Sequence, residues 1–110
     1  MASFEVGPLP EAPLAAASRF YADVLPDARS VLAGRPDHLV LLFRPADHSH
    51  RSWRVAVIEE LAREFAPVRV NAVAADDAAA ISATVEYLAR APGLTGQYLL
   101  LDGVGAGPVL

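Results

Sequence analysis

Apolar residues along the chain follow two alternating patterns. Residues 38–43 form a continuous apolar run, which is typical of a strand covered on both faces. Shorter segments at residues 3–6, 68–74 and 98–101 are also predicted to be strands. Since helical segments separate these strands, the pattern predicts parallel strands joined by right-handed crossovers.

The segments between the strands repeat apolar residues at helical spacing. Pro13 suits a first helical turn, Pro26 is expected to end that helix, and Asp27 is expected to cap a second short piece. Ser49 or Ser52 is expected to cap the next helix, and Asp76 and Asp77 lie at the start of the last one. The predicted helical segments are residues 14–25, 27–33, a stretch ending near residue 65, and 78–90.

Composition narrows the class of protein. At 54% hydrophobic and 20% charged residues, the 110-residue chain is expected to be one globular domain. A net charge of −4 without an arginine cluster argues against nucleic-acid binding, and the absence of cysteine excludes disulfides and thiolate sites. No apolar run approaches a membrane span and the first residues do not resemble a signal peptide, so a cytoplasmic location is expected. Frequent Ala, Arg and Val without Lys indicate a GC-rich, bacterial genome.

Motifs in the second half resemble a known family. The run Arg-Glu-Phe-Ala-Pro-Val-Arg-Val-Asn-Ala-Val at residues 63–73 is similar to the end of helix 5 and the start of strand 6 of short-chain dehydrogenases/reductases. Tyr-Leu-Ala-Arg at residues 87–90, followed by Thr-Gly-Gln-Tyr-Leu-Leu-Leu-Asp-Gly at 95–103, resembles the family's last helix and strand. The resemblance covers residues 36–104 well, and residues 1–35 only loosely, as strand 4 and a shortened helix 4.

Pattern and resemblance together predict an α/β fold. The expected domain, residues 1–110, is a three-layer, partial Rossmann-like fold with a mainly parallel sheet of three or four strands and about three helices. It corresponds to the C-terminal half of the family fold without the opening cofactor-binding unit. The glycine-rich residues 104–110 are expected to form a flexible tail.

The resemblance also identifies the positions where catalysis would occur. The family uses a Tyr-x-x-x-Lys pair, but all nine basic residues here are arginines. Alignment on Glu64 and Asn71 places Asp47 at the tyrosine position, Arg51 at the lysine position and Arg44 near the catalytic serine. The family's Pro-Gly after the Asn-Ala-Val motif is Ala-Asp at residues 75–76. We therefore expect no NAD(P) binding and no hydride transfer by the family mechanism.

The loop 44–50 contains the only dense group of titratable side chains. Asp47, His48 and His50 could support acid–base chemistry or, less plausibly for histidines two apart, a metal ion. The alternative is a solvated loop in which Asp47 or Ser49 caps the next helix. We expect no bound metal or cofactor, and we keep Asp47, His48, His50, Arg51 and Arg44 as catalytic candidates for a small enzyme of different chemistry.

A wide apolar stripe on the third helical segment suggests an interface. Trp53, Val57 and Leu61 lie along it, and Tyr21 lies on the first helix. In the family, helices 4 and 5 of two subunits pack together, so the resemblance implies a homodimer or a hetero-oligomer with a full-length relative. The sequence thus favours a non-catalytic oligomerising or scaffold subunit. The alternatives are the small enzyme and an oxidoreductase completed by a partner chain.

Overall fold

A computed structural model describes residues 3–101 as a four-stranded parallel sheet between two helical layers. This confirms the predicted three-layer, partial Rossmann-like fold. The strands are β1 (Ser3–Gly7), β2 (His38–Phe43), β3 (Arg69–Ala74) and β4 (Tyr98–Leu100). The helices are α1 (Pro13–Arg19), a π-helical segment (Phe20–Val24), α2 (Leu25–Ala33), a 3₁₀ turn (His48–His50), α3 (Arg51–Glu64) and α4 (Ala78–Ala89).

The strands lie side by side in chain order, β1-β2-β3-β4, and every neighbouring pair is parallel. The register of β2 against β3 is regular from His38 opposite Arg69 to Phe43 opposite Ala74. The register of β1 shifts between Glu5 and Gly7, where Gly7 takes a positive φ of 83° that favours glycine. All carboxyl ends of the strands therefore meet at one edge of the sheet.

Alternate residues of the strands form two separate hydrophobic cores. Leu39, Leu41 and Phe43 face the layer of α1, α2 and α3, where Ile58 is also buried. Val40 and Leu42 face the opposite layer, where the partner is α4 and its buried residue Leu88. The continuous apolar run of β2 is thus explained by burial on both faces.

The expectation of right-handed crossovers throughout is wrong for the last connection. The connections β1 to β2 and β2 to β3 place their helices on one face of the sheet, whereas α4 lies on the other face. Because the strands follow one another in a single direction, the β3–α4–β4 connection has the opposite hand to the first two. The result is a third layer that would be missing if all crossovers had the same hand.

The helix predicted to end at Pro26 does not end there. A π-helical turn over Phe20–Val24 joins α1 to α2, and the Leu25 N–H bonds to the Phe20 carbonyl. The wider turn accommodates Pro26, which has no N–H, in the first turn of α2. Asp27 makes no capping bond, contrary to our prediction.

The helix boundaries around the later strands follow the sequence more closely. Asp77, one of the two carboxylates expected at the start of α4, caps the helix by accepting from the Ala79 N–H. Asp47, and neither Ser49 nor Ser52, caps the turn that leads into α3. None of the helices in residues 3–101 is long and apolar enough to cross a membrane. The predicted flexible tail at 104–110 lies outside the described residues.

Candidate functional site

A cleft of about 420 Å³ lies at the carboxyl ends of β1 and β2. Its walls are residues 7–11 after β1 and residues 44–47 after β2, with His50 and Arg54 beyond them. Open parallel sheets commonly bind ligands at this edge, because the backbone of the loops there is not used in hydrogen bonds between strands. The cleft therefore contains three of the five predicted catalytic candidates: Arg44, Asp47 and His50.

Asp47 is held by the turn that it caps. Its carboxylate accepts from the Ser49 N–H at 2.9 Å and from the Ser49 hydroxyl. These hydrogen bonds, the hydroxyl first, lower the pKa of Asp47 below its ordinary value. An exposed carboxylate with a lowered pKa is a poor proton donor near neutral pH, so the side chain cannot replace a phenol as general acid.

His50 is buried, which the interpretation of residues 44–50 as a solvated loop did not anticipate. Its ring is 5% exposed; Nε2 lies 2.9 Å from the Glu11 carbonyl, and Nδ1 accepts from Trp53 Nε1 at 3.3 Å. Both nitrogens are thus occupied, Nε2 as donor and Nδ1 as acceptor. His50 ties the β1–α1 loop to α3, whereas His48 is exposed.

Arg54 is the feature that sequence reasoning missed. It is 3% exposed, and its Nη1 donates to the Arg44 carbonyl at 3.0 Å and to the Tyr98 hydroxyl at 3.1 Å. The guanidinium carbon lies 4.5 Å from the centre of the Phe43 ring. Within residues 3–101, Arg54 pairs with no carboxylate, and its buried Nε has no acceptor. Its place in an apolar helical stripe was the only sequence signal.

The other two candidates do not complete a catalytic arrangement. Arg44 is exposed at the rim of the cleft. Arg51 is also exposed and lies over the ring of Tyr98, 5.8 Å from its centre. In the described part of the chain, Asp47 and Arg51 form no ion pair, although they are four residues apart. The same residues contain no group of three or more His, Asp or Glu side chains that could hold a metal ion.

Asn71, from the Asn-Ala-Val motif, serves the sheet. It is fully buried, donates to the Leu94 carbonyl at 3.0 Å and accepts from the Gln97 N–H at 3.0 Å. These two bonds fix the connection that precedes β4. Asn71 does not line the cleft, and its bonds give it a structural role.

The predicted interface residues are divided between core and surface. Val57 and Leu61 are each 2% exposed and pack in the chain's own core, and Trp53 is half-buried against Phe20 and Phe43. Tyr21 is 48% exposed. Because a buried side chain has little surface left for a partner, a dimer must rely on the outer residues of α3 and on Tyr21.

Fold and site together define a Rossmann-like domain with a cleft at the carboxyl ends of its first two strands. The family model described as "Short chain dehydrogenase-like protein" matches residues 4–101, and the chain belongs to this SDR-like family. Neither the curated proteins nor the solved structures include a significant match.

Proposed function

We propose that this chain is a non-catalytic, short-chain-dehydrogenase-like subunit that acts by assembling with a second copy. The absence of catalysis is supported by one observation: Asp47 and Arg51 occupy the positions of the family's tyrosine and lysine. Asp47 is engaged as a turn cap and Arg51 lies over Tyr98. An aspartate with a lowered pKa is a poor proton donor, and an arginine lacks the compact ammonium geometry of the family's lysine, so this pair does not supply the proton transfer of the family.

The outer face of α3 supports the assembly. Arg51, Ser52, Val55, Ala56 and Glu59 line a shallow depression there. The side chains at its centre are small, which allows a second helix to approach closely. Arg51 and Glu59 lie at opposite ends, about 12 Å apart along the helix axis.

This arrangement of charge is self-complementary. If two copies pack antiparallel about a two-fold axis near Val55, Arg51 of each copy faces Glu59 of the other. Within residues 3–101 neither side chain has an ion-pair partner, whereas the next charged pair along the helix, Glu60 and Arg63, is already joined. A second copy would therefore supply a partner to both residues at once.

Sedimentation equilibrium of charge-exchanged variants tests the dimer. Arg51→Glu and Glu59→Arg should each weaken dimerisation roughly tenfold, since each replaces two attractive pairs by two repulsive ones. The double exchange should restore most of the wild-type affinity, because the pairs re-form with reversed sign. Arg90→Glu makes the same charge change at the end of α4 and should have no effect.

Three outcomes would contradict the proposal. If the wild-type protein stays monomeric at high micromolar concentration, the proposed homodimer is wrong. Activity of the purified chain that disappears on replacing Asp47, with folding intact, favours a small enzyme of different chemistry. Hydride transfer that needs an added full-length relative favours an oxidoreductase completed by a partner chain.

A further inference from the structure

We infer that the cleft between the β1 and β2 loops binds a small monocarboxylate with an apolar body, and that Arg54 supplies the positive charge that recognises it. The inference concerns a site separate from the outer face of α3, so it does not depend on the proposed dimer. It starts from the burial of a cation that has no carboxylate partner among residues 3–101. The side chain is 3% exposed, and guanidinium stays charged at any pH the protein meets.

Burying an unpaired charge costs free energy unless other groups compensate for it. In residues 3–101, compensation comes from two neutral acceptors on Nη1 and from the faces of Phe43 and Trp53. Nε is buried without an acceptor in the described part of the chain. Such a cation at the wall of a cleft is a binding site for an anion, because the anion completes its hydrogen bonds and its charge.

The shape and lining of the cleft select the class of anion. Pro8, Leu9, Pro10 and Pro45 give one part of its walls an apolar surface, which suits a small hydrocarbon body, while polar atoms make up the larger part of the lining. Arg44 at the rim adds a second positive charge. A carboxylate entering the cleft would contact Nη2 of Arg54, since Nη1 already serves the Arg44 carbonyl and Tyr98.

Two acidic residues limit the charge of the ligand. Glu11 and Asp47 also line the cleft, and both are exposed at its rim. Their carboxylates repel a second negative charge, so a phosphate ester or a dicarboxylate is disfavoured relative to a monoanion. The volume of about 420 Å³ is sufficient for a ligand the size of a substituted benzoate.

Calorimetric titration of the purified 110-residue chain with benzoate, benzamide and inorganic phosphate tests the inference directly. Benzoate and benzamide have nearly the same shape and differ in charge. Benzoate should bind at least about tenfold more tightly than benzamide, and it should also bind more tightly than phosphate. Equal binding of benzoate and benzamide, no binding of benzoate, or tighter binding of phosphate would overturn the inference.

Variants of Arg54 then test whether this residue recognises the carboxylate. Arg54→Met keeps the volume and removes the charge, so benzoate should lose its advantage over benzamide; Arg90→Met, the same change at an exposed arginine outside the cleft, should leave that advantage intact. Thermal melting of Arg54→Met without ligand checks that the variant folds, since the change removes a buried charge and also leaves the Arg44 carbonyl and the Tyr98 hydroxyl without this donor. If Arg54→Met does not fold, Arg54→Lys should bind benzoate more weakly than the wild type does, since an ammonium lacks the planar fork. Undiminished preference for benzoate in either variant would show that another group recognises it.

Discussion

At the scale of single residues, burial separates side chains that look alike in the sequence. His38, His48 and His50 are the same polar residue in the sequence, yet His38 and His50 are buried and His48 is exposed. The difference comes from tertiary contacts: His50 meets the Glu11 carbonyl, 39 residues away. The pattern of neighbouring residues contains no information about that contact, so the loop 44–50 was predicted to be solvated.

His50→Ala should lower the free energy of unfolding by about 1–3 kcal/mol. The change leaves the Glu11 carbonyl and the Trp53 indole N–H without partners in a partly buried place. His48→Ala, the matched change at an exposed position two residues earlier, should alter stability by less than about 0.5 kcal/mol. Urea denaturation of both variants measures the difference. Equal effects would mean that the ring of His50 is not held as described.

His38 should make stability depend on pH. Burial, and then the nearby charge of Arg69, lower its pKa in the folded chain, while Asp37 raises it less. The unfolded chain therefore takes up the proton first as pH falls, so this contribution is full above about pH 6.5 and is lost as pH falls through the folded-state pKa.

The measurement is the free energy of unfolding between pH 7.5 and 5.5. His38→Gln, which does not titrate, should flatten the decline toward low pH. His48→Gln should keep the wild-type slope, because its ring is exposed. A slope that His38→Gln leaves unchanged would assign the dependence to other groups.

At the scale of elements, the sequence predicted the strands and most helices within one or two residues. Periodicity was sufficient for β2, whose residues 39–43 are apolar and face both layers, and for α4, whose start was marked by Asp76 and Asp77. It failed at Pro26, because a π-helical turn lets a helix pass a proline that would end a regular one. It also failed at Arg54, because the place of a cation in an apolar helical stripe does not by itself show that the side chain is buried.

The attachment of β4 offers a prediction at this scale. β4 has three residues and pairs only with β3, and the side chain of Asn71 bonds to both ends of the turn before it. Asn71→Ala should destabilise the protein by about 1–3 kcal/mol, since it leaves the Leu94 carbonyl and the Gln97 N–H unpaired. Amide exchange in residues 96–100 should accelerate more than in β2.

Gln97→Ala is the matched control, because the exposed Gln97 side chain bonds only within its own turn, to the Thr95 carbonyl. It should leave exchange in β2 and β4 close to that of the wild type. If Asn71→Ala accelerates exchange evenly across the sheet, Asn71 supports the whole fold and not β4 in particular.

At the scale of the whole molecule, the chain has the parallel sheet and helical layers of a partial Rossmann-like fold, and a set of internal contacts holds the carboxyl edge of the sheet. The backbone of that edge is held by groups the family chemistry does not need: the Asp47 cap, the His50 bond to Glu11 and the Arg54 bond to Tyr98. These contacts give Asp47, His50 and Arg54 structural roles at this edge. Replacing Asp47 would also remove the hydrogen bonds that it accepts from Ser49 in this turn.

The 110-residue chain alone should not bind NAD(H) or NADP(H) with a dissociation constant in the low micromolar range. A pyrophosphate is held by consecutive backbone N–H groups of a glycine-rich turn, whereas the loop after β1 has prolines at positions 8 and 10, which have no N–H to donate. The acidic side chains of Glu11 and Asp47 at the same edge repel phosphate further. Fluorescence titration with NADH and NADPH measures this.

The double variant Asp47→Tyr, Arg51→Lys restores the family's pair at the two matching positions and is the sharper control. It should still fail to bind either nucleotide, because it changes neither the prolines nor Glu11. It should also be less stable than the wild type, since the capping bond to the Ser49 N–H is lost. Saturable nucleotide binding by the double variant would mean that the two substitutions alone had abolished it, and that the loop after β1 leaves room for the cofactor.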